Sequence, residues 1–136
     1  MFTDDHIIRQ IAQLVAVLKK IAGFKNAGEY SDAHAIINQN LEELFGLEAG
    51  IIMQFDVDGL AYLVNGIYGV DVKKLFILVS LLEAEGDVLA AQQRDMESKQ
   101  YYQQALDLLD RFSSESAGEM DKDITAKVKA LEKKLA

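Results

Sequence analysis

The chain has 136 residues, half of them hydrophobic, with no Cys, no Pro and a formal net charge of -8 at pH 7. That length and apolar content support one domain with a real core and exclude a wholly disordered chain. Without Cys there are no disulfides, thiolate metal sites or Cys nucleophiles, and the acidic balance disfavours general binding to phosphate backbones. The absence of Pro, with frequent Leu, Ala, Ile and Val, leans towards long uninterrupted helices. Charge is unevenly spread. No Lys or Arg falls between Asn26 and Val72, where Glu29, Asp32, Glu42, Glu43, Glu48, Asp56, Asp58 and Asp71 lie. Lys122, Lys127, Lys129, Lys133 and Lys134 crowd the C-terminal end. These two surfaces are either solvated faces or a matched pair that attract each other, within one chain or between two.

Thr3, Asp4 or Asp5 can cap a first helix. Ile7, Ile11, Leu14, Leu18 and Ile21 make one apolar stripe and Ile8, Val15 and Ala22 a second, so this helix is expected to be buried on more than one side. Gly23 to Gly28 ends it. A second helix runs from about Ser31 to Phe45, with Ala33, Ile36, Ile37, Leu41 and Leu44 inward and Gly46 placed to stop it. Residues 47–70 are less regular. Ile51, Ile52 and Phe55 suggest one short helix. Asp56 or Asp58 caps another, and Asn65-Gly66 with Gly69 marks a turn. Asp71 then caps a long helix to about Gln93, apolar all round at Leu75 to Val79 and hence central. Met96 to Phe112 is helical, Ser113 to Gly118 is a polar linker, and Asp121 or Asp123 starts a last helix. Ile124, Val128, Leu131 and Leu135 give that helix one narrow seam, so it must dock to persist. The expected fold is all-α, with five to seven helices in one domain. Residues 1–46 form a first helix pair, 47–70 an irregular middle, 71–112 a second pair and 119–136 a docking helix.

Gly28-Glu29-Tyr30-Ser31-Asp32-Ala33, leading to Ile36, Ile37 and Leu41, returns in weaker form from Gly86-Asp87 through Tyr102, Ala105, Leu106 and Leu109. Both signatures resemble tetratricopeptide (TPR) repeats. Gly86 stands at the close-packing glycine, Leu82 and Leu89 at large apolar places, and Tyr102 and Ala105 at the aromatic and small positions. Gln93 departs from the usual turn Gly, Ser98 from the usual Ala, and Ile21 from the small residue of the first unit. Residues 47–70 do not match. The resemblance covers about half the chain and implies antiparallel helix pairs that build a surface for a partner. The layout also resembles a family of small bacterial helical proteins of unknown function, through Asp4-Asp5-His6-Ile7-Ile8-Arg9, the Gly-Glu-Tyr turn and Leu44-Phe45-Gly46-Leu47. No activity comes with that likeness.

The catalytic inventory is negative. There is no phosphate loop, dinucleotide fingerprint or His-Glu-x-x-His, and neither His6 nor His34 has a Glu three positions before it. His34 lies near Asp32 and Ser31, but residues so close on one helix do not converge as a triad, and a surface position is expected. Asp56-x-Asp58-Gly59 lacks the spacing and ligands of a calcium loop and is read as a helix cap. No catalytic residue, cofactor or metal is expected. The TPR resemblance implies that Ser80, Glu83, Asp87, Ala90 and Ala91 line a groove, acidic and small-sided, suited to a protein or peptide with basic residues. The matching first-unit positions, Val15, Leu18 and Ala22, are expected in the core. Tyr102 is explained by repeat packing, whereas Tyr101 is left open between packing and an exposed contact.

The expected role is a non-enzymatic protein-interaction or adaptor module. The alternatives are a structural homo-oligomer, and a small-molecule sensor or enzyme with a pocket near Tyr62 and Tyr68. Apolar runs such as Leu75 to Val79 are far too short for a membrane span, and Met1 to His6 lacks the basic start of a signal peptide, so neither membrane nor nucleic acid is an expected partner and a cytoplasmic location is expected.

Overall fold

Asp71 fixes the start of the helix around which the rest packs. Its Oδ1 accepts the backbone N–H groups of Lys73 (3.0 Å) and Lys74 (3.2 Å), two donors that no preceding turn could satisfy. From there α5 runs over Val72–Ala91, and 14 of its 20 residues are buried, so no face is left to water. The computed structural model of the chain describes residues 4–116, 118 and 120–136. The expected cap at Thr3 lies outside them, as do the side chains of Asp4, Asp5, His6, Ile7 and Ile8.

Among the described residues the fold is all-α, with seven helices and one minute hairpin. α1 spans Asp4–Asn26 and α2 Tyr30–Phe45. The middle holds α3 (Ala49–Ile52), a 3-10 turn (Asp58–Leu60) and α4 (Ala61–Val64). Strands β1 (Asn65–Gly66) and β2 (Gly69–Val70) then pair antiparallel, Asn65 opposite Val70 and Gly66 opposite Gly69. After α5 come α6 (Asp95–Phe112), a 3-10 turn (Ser113–Ser116) and α7 (Asp121–Leu135). α5 packs on α1, α2, α4 and α6, and α7 lies along α6. Leu75, Leu78, Leu81 and Leu82 of α5 form the centre of the core with Ile37, Leu41, Leu108 and Leu109. Each such side chain contributes roughly 1.5–3 kcal/mol relative to an exposed one.

The two helical hairpins, α1–α2 and α5–α6, turn in the same way. In the first, the N–H of Glu29 donates to the Phe24 carbonyl and that of Gly28 to the Lys25 carbonyl. In the second, Arg94 donates to Leu89 and Gln93 to Ala90. Both pairs are the two bonds of a Schellman motif, whose penultimate residue must be left-handed. Gly28 has φ +75° and Gln93 φ +64°. The departure at Gln93 is therefore one of residue type, not of backbone.

Three expectations change. α1 continues through Gly23 to Asn26, because helix is interrupted only where Gly28 takes its positive φ. α1 is not buried on more than one side. Leu14 and Ile21 are buried, but Val15 is 58% exposed, and Leu18 and Ala22 are only half-buried, since α2 and α5 both approach from one side. Tyr62 and Tyr68 line no enclosed space. They are 58% and 100% exposed, and Tyr68 sits with Ile67 at the hairpin tip, where a two-residue turn points both side chains into solvent.

Candidate functional site

Glu83 and Asp87 lie four residues apart on α5, one turn above the other. Lys127 and Lys134 lie two turns apart on α7 and follow the spacing of its buried anchors Ile124 and Leu131. When that apolar seam seats, both ammonium groups arrive over the carboxylates. Lys127 Nζ donates to Glu83 Oε1 at 2.6 Å and Lys134 Nζ to Glu83 Oε2 at 2.8 Å. Lys134 also reaches Asp87 at 3.0 Å. Aromatic rings back both cations: Lys127 stands 5.3 Å from the Phe76 ring centre and Lys134 5.5 Å from that of Tyr102. The Tyr102 hydroxyl donates to Asp87 Oδ1 at 2.6 Å.

Electrostatics follow the geometry. Burial pushes the Glu83 pKa up, but the hydrogen bonds and charges of Lys127 and Lys134 outweigh it and hold the carboxyl below its ordinary value of 4.5. Burial pulls Lys134 down, and its bonds to Glu83 and Asp87 more than restore it, leaving it above 10.5. The Tyr102 phenol is raised by burial and then by its bond to Asp87. These three groups keep their usual charge states at neutral pH.

Of the five residues placed on the expected groove, the structure brings Ser80, Glu83 and Asp87 to one wall and leaves Ala90 and Ala91 exposed beyond it. Glu83 is buried, contrary to a merely solvated acidic face. The C-terminal lysines do find carboxylates in their own chain, but on α5 and not in the acidic stretch of 26–72. Within that stretch Asp58 pairs with Arg111 at 2.8 Å, and Asp56 Oδ1 accepts the N–H of Gly59 at 2.7 Å, closing the turn into the 3-10 helix, whose N-cap is Val57 and not an Asp.

Ser80, Glu83, Ala84 and Asp87 also line a cavity of about 140 Å³ with Leu18, Ile21, Ala22 and Lys25 of α1. Ser80 Oγ is buried and has no hydrogen-bond partner.

A second buried carboxylate escaped sequence reasoning. Glu85 Oε1 lies 2.7 Å from His34 Nδ1, while His34 Nε2 lies 2.7 Å from Gln92 Oε1. His34 is thus part-buried rather than a surface residue, and joins α2 to the end of α5. Tyr30 adds a hydroxyl bond to the Ala91 carbonyl at 3.3 Å. Tyr101 is half-buried beside this group, its pKa pushed up to about 12 by burial and then by Glu85 and Glu97. Only the approach of α2 to α5 pairs His34 with Glu85, and no local spacing announces it.

Among the described residues no three His, Asp or Glu side chains group as a metal site, and no helix is long and apolar enough to cross a membrane. No known family model, curated protein or solved structure matches the chain.

Proposed function

We propose that this protein is a non-enzymatic protein-interaction module with TPR-like helix pairing, and that the acidic, aromatic-backed face of α5 and α6 is its receptor surface for a lysine-bearing amphipathic helix. One observation carries the reading. Lys127 and Lys134 of α7 each seat an ammonium group against a carboxylate and an aromatic ring. Carboxylate plus ring face is a combination that selects cations. α7 then serves as the in-chain template of a partner helix: two lysines seven residues apart, flanked by apolar residues at the same spacing.

The test uses the full chain carrying Lys127→Gln, Leu131→Gln and Lys134→Gln, checked for retained helicity by circular dichroism. A labelled peptide of residues 121–136 should bind it in fluorescence anisotropy. Binding should weaken as salt rises and be lost when Glu83→Gln is added. A peptide with both lysines changed to Glu should not bind. Equal binding of the two peptides, or none of either, sinks the proposal. Self-association of the unlabelled variant in sedimentation would move the weight to a homo-oligomer that exchanges α7.

A further inference from the structure

Two steps of the chain, Asp58-Gly59 and Asn65-Gly66, can in principle close on themselves. In each, the Gly amide nitrogen can attack the side-chain carbonyl carbon of the residue before it and form a cyclic imide. A side chain on the attacking residue hinders that approach, and Gly has none. The fold treats the two steps differently. At the first, the Gly59 N–H is bound to Asp56 Oδ1 at 2.7 Å and the Asp58 carboxylate to Arg111 at 2.8 Å, so both reacting groups are held elsewhere. At the second, Asn65 and Gly66 are exposed, and among the described residues the Asn65 side chain makes no hydrogen bond. Asn38 and Asn40 tie their amides to Ala49 and Ile36, and Asn26 is followed by Ala27.

Turning the Asn65-Gly66 peptide towards the Asn65 side chain breaks the pairing of Gly66 with Gly69, in strands of only two residues. Hairpins this short open readily. The backbone does not require Gly at position 66. Its φ lies outside the left-handed region, unlike that of Gly69 at +119°, and a Cβ there would stand 3.4 Å from the Gly69 oxygen and from Asp71 Cβ, an ordinary contact. Lys74 adds a cation to the site. Its Nζ donates to the Asn65 carbonyl oxygen at 3.4 Å. That oxygen and the Gly66 nitrogen belong to one peptide unit, so the ammonium favours the amide anion that attacks.

We propose that Asn65 is a self-modification site, converted in the folded chain to isoaspartate with Lys74 steering the product. The Gly66 nitrogen bonds to Asn65 Cγ, and Nδ2 leaves as ammonia, carrying the proton that the Gly66 nitrogen gives up. Solvent water then adds to the imide carbonyl held by Lys74. The bond from that carbon to the Gly66 nitrogen breaks, and a water proton returns to the nitrogen. Nothing is oxidised or reduced. The main chain now runs through Cγ, one methylene longer, which takes β1 out of register with Val70. The former Asn65 carbonyl becomes a carboxylate beside Lys74. The site is independent of the lysine-helix reading, since no residue of α7 takes part.

The full-length protein, incubated at neutral pH for weeks and mapped by mass spectrometry with electron-transfer fragmentation, should gain isoaspartate at position 65 before any other Asn or Asp. Gly66→Ala should remove the product within the same incubation while circular dichroism stays unchanged. Lys74→Met should slow its appearance about two- to fivefold, the size of an exposed charge contact, and raise the share of ordinary aspartate. Lys74→Arg should restore both rate and product. In urea-unfolded protein the effect of Lys74→Met should vanish. An intact Asn65 in the folded chain, a Gly66→Ala variant that reacts as fast, equal rates and products with and without the Lys74 cation, or faster change at Asn26 or Asp58 would each overturn the proposal.

Discussion

The α1–α2 and α5–α6 hairpins share a turn but not a way of packing. At corresponding places beyond that turn the first has Ile21 and Ile37, and the second Gly86 and Tyr102. All four are buried. One hairpin fills its crossing with two medium side chains, the other with a ring laid on bare backbone. A Cβ on Gly86 would stand 2.6 Å from Tyr102 Cε1 and 3.2 Å from the Ser98 carbonyl oxygen. Ser98 then donates its hydroxyl to the Gly86 carbonyl at 2.7 Å, while Ala33 holds its place in the first hairpin. A single hydrogen-bonded turn therefore accepts either solution, and what must be kept is the summed volume across the crossing, not the residue at each site.

The largest effect should come from breaking that volume rule. Gly86→Ala is expected to destabilise by about 3 kcal/mol in urea unfolding, because overpacking against ring and backbone exceeds the helix-propensity gain of Ala over Gly. Adding Tyr102→Ile moves the crossing towards the first hairpin's residues. The double variant should lose less than the sum of the two single ones. Strict additivity would show that the two crossings are not interchangeable.

A smaller effect separates the hairpins by what covers them, since only α5–α6 carries α7. Glu83→Ala leaves Lys127 without a carboxylate and Lys134 with Asp87 alone, and should cost about 2 kcal/mol, less than a fully enclosed pair because the lysines can swing towards water. The pH response has a definite sign. A depressed carboxyl pKa stabilises above its ordinary 4.5, and that contribution disappears as pH falls through the folded value. A raised lysine pKa stabilises below 10.5, and that contribution disappears as pH rises through the folded value. In amide spectra α7 should therefore loosen below pH 4.5 before α2, whose Ala33, Ile37 and Leu41 are buried in the core. Concurrent loss of both helices would mean that α7 is no separate unit.

The smallest effect lies in the turns themselves. Gln93→Gly should raise stability by about 0.5–1 kcal/mol and Gly28→Gln should lower it by about the same, because only Gly takes a positive φ without strain. Thermal unfolding of the two variants should move in opposite directions. Movement in the same direction would break the equivalence of the turns.

Local chemistry was readable from the chain. The Asp71 cap, the Gly46 stop and the α7 seam depend on residues a few positions apart, and each stands where spacing put it. The α1 exposure was not readable, because two apolar stripes say that a helix could bury both sides and nothing about how many neighbours arrive. Gln93 departs from the usual turn Gly in residue type, and residue type alone does not reveal that its backbone is left-handed all the same. At the candidate site, Glu83 and Asp87 were visible as a pair on one helical face. Their lysines were visible too, but joining the two sets required knowing that α7 lies along α6 and reaches α5.

Glu83 also sets an order of events during synthesis. It leaves the ribosome more than forty residues ahead of Lys127. At about 5–20 residues per second that is an interval of several seconds. Through it, α5 and α6 can pair with a carboxylate in their flank and no cation to meet it. A nascent chain halted before α7 keeps that acidic, ring-backed face uncovered, and so carries a chemical mark that a finished one does not.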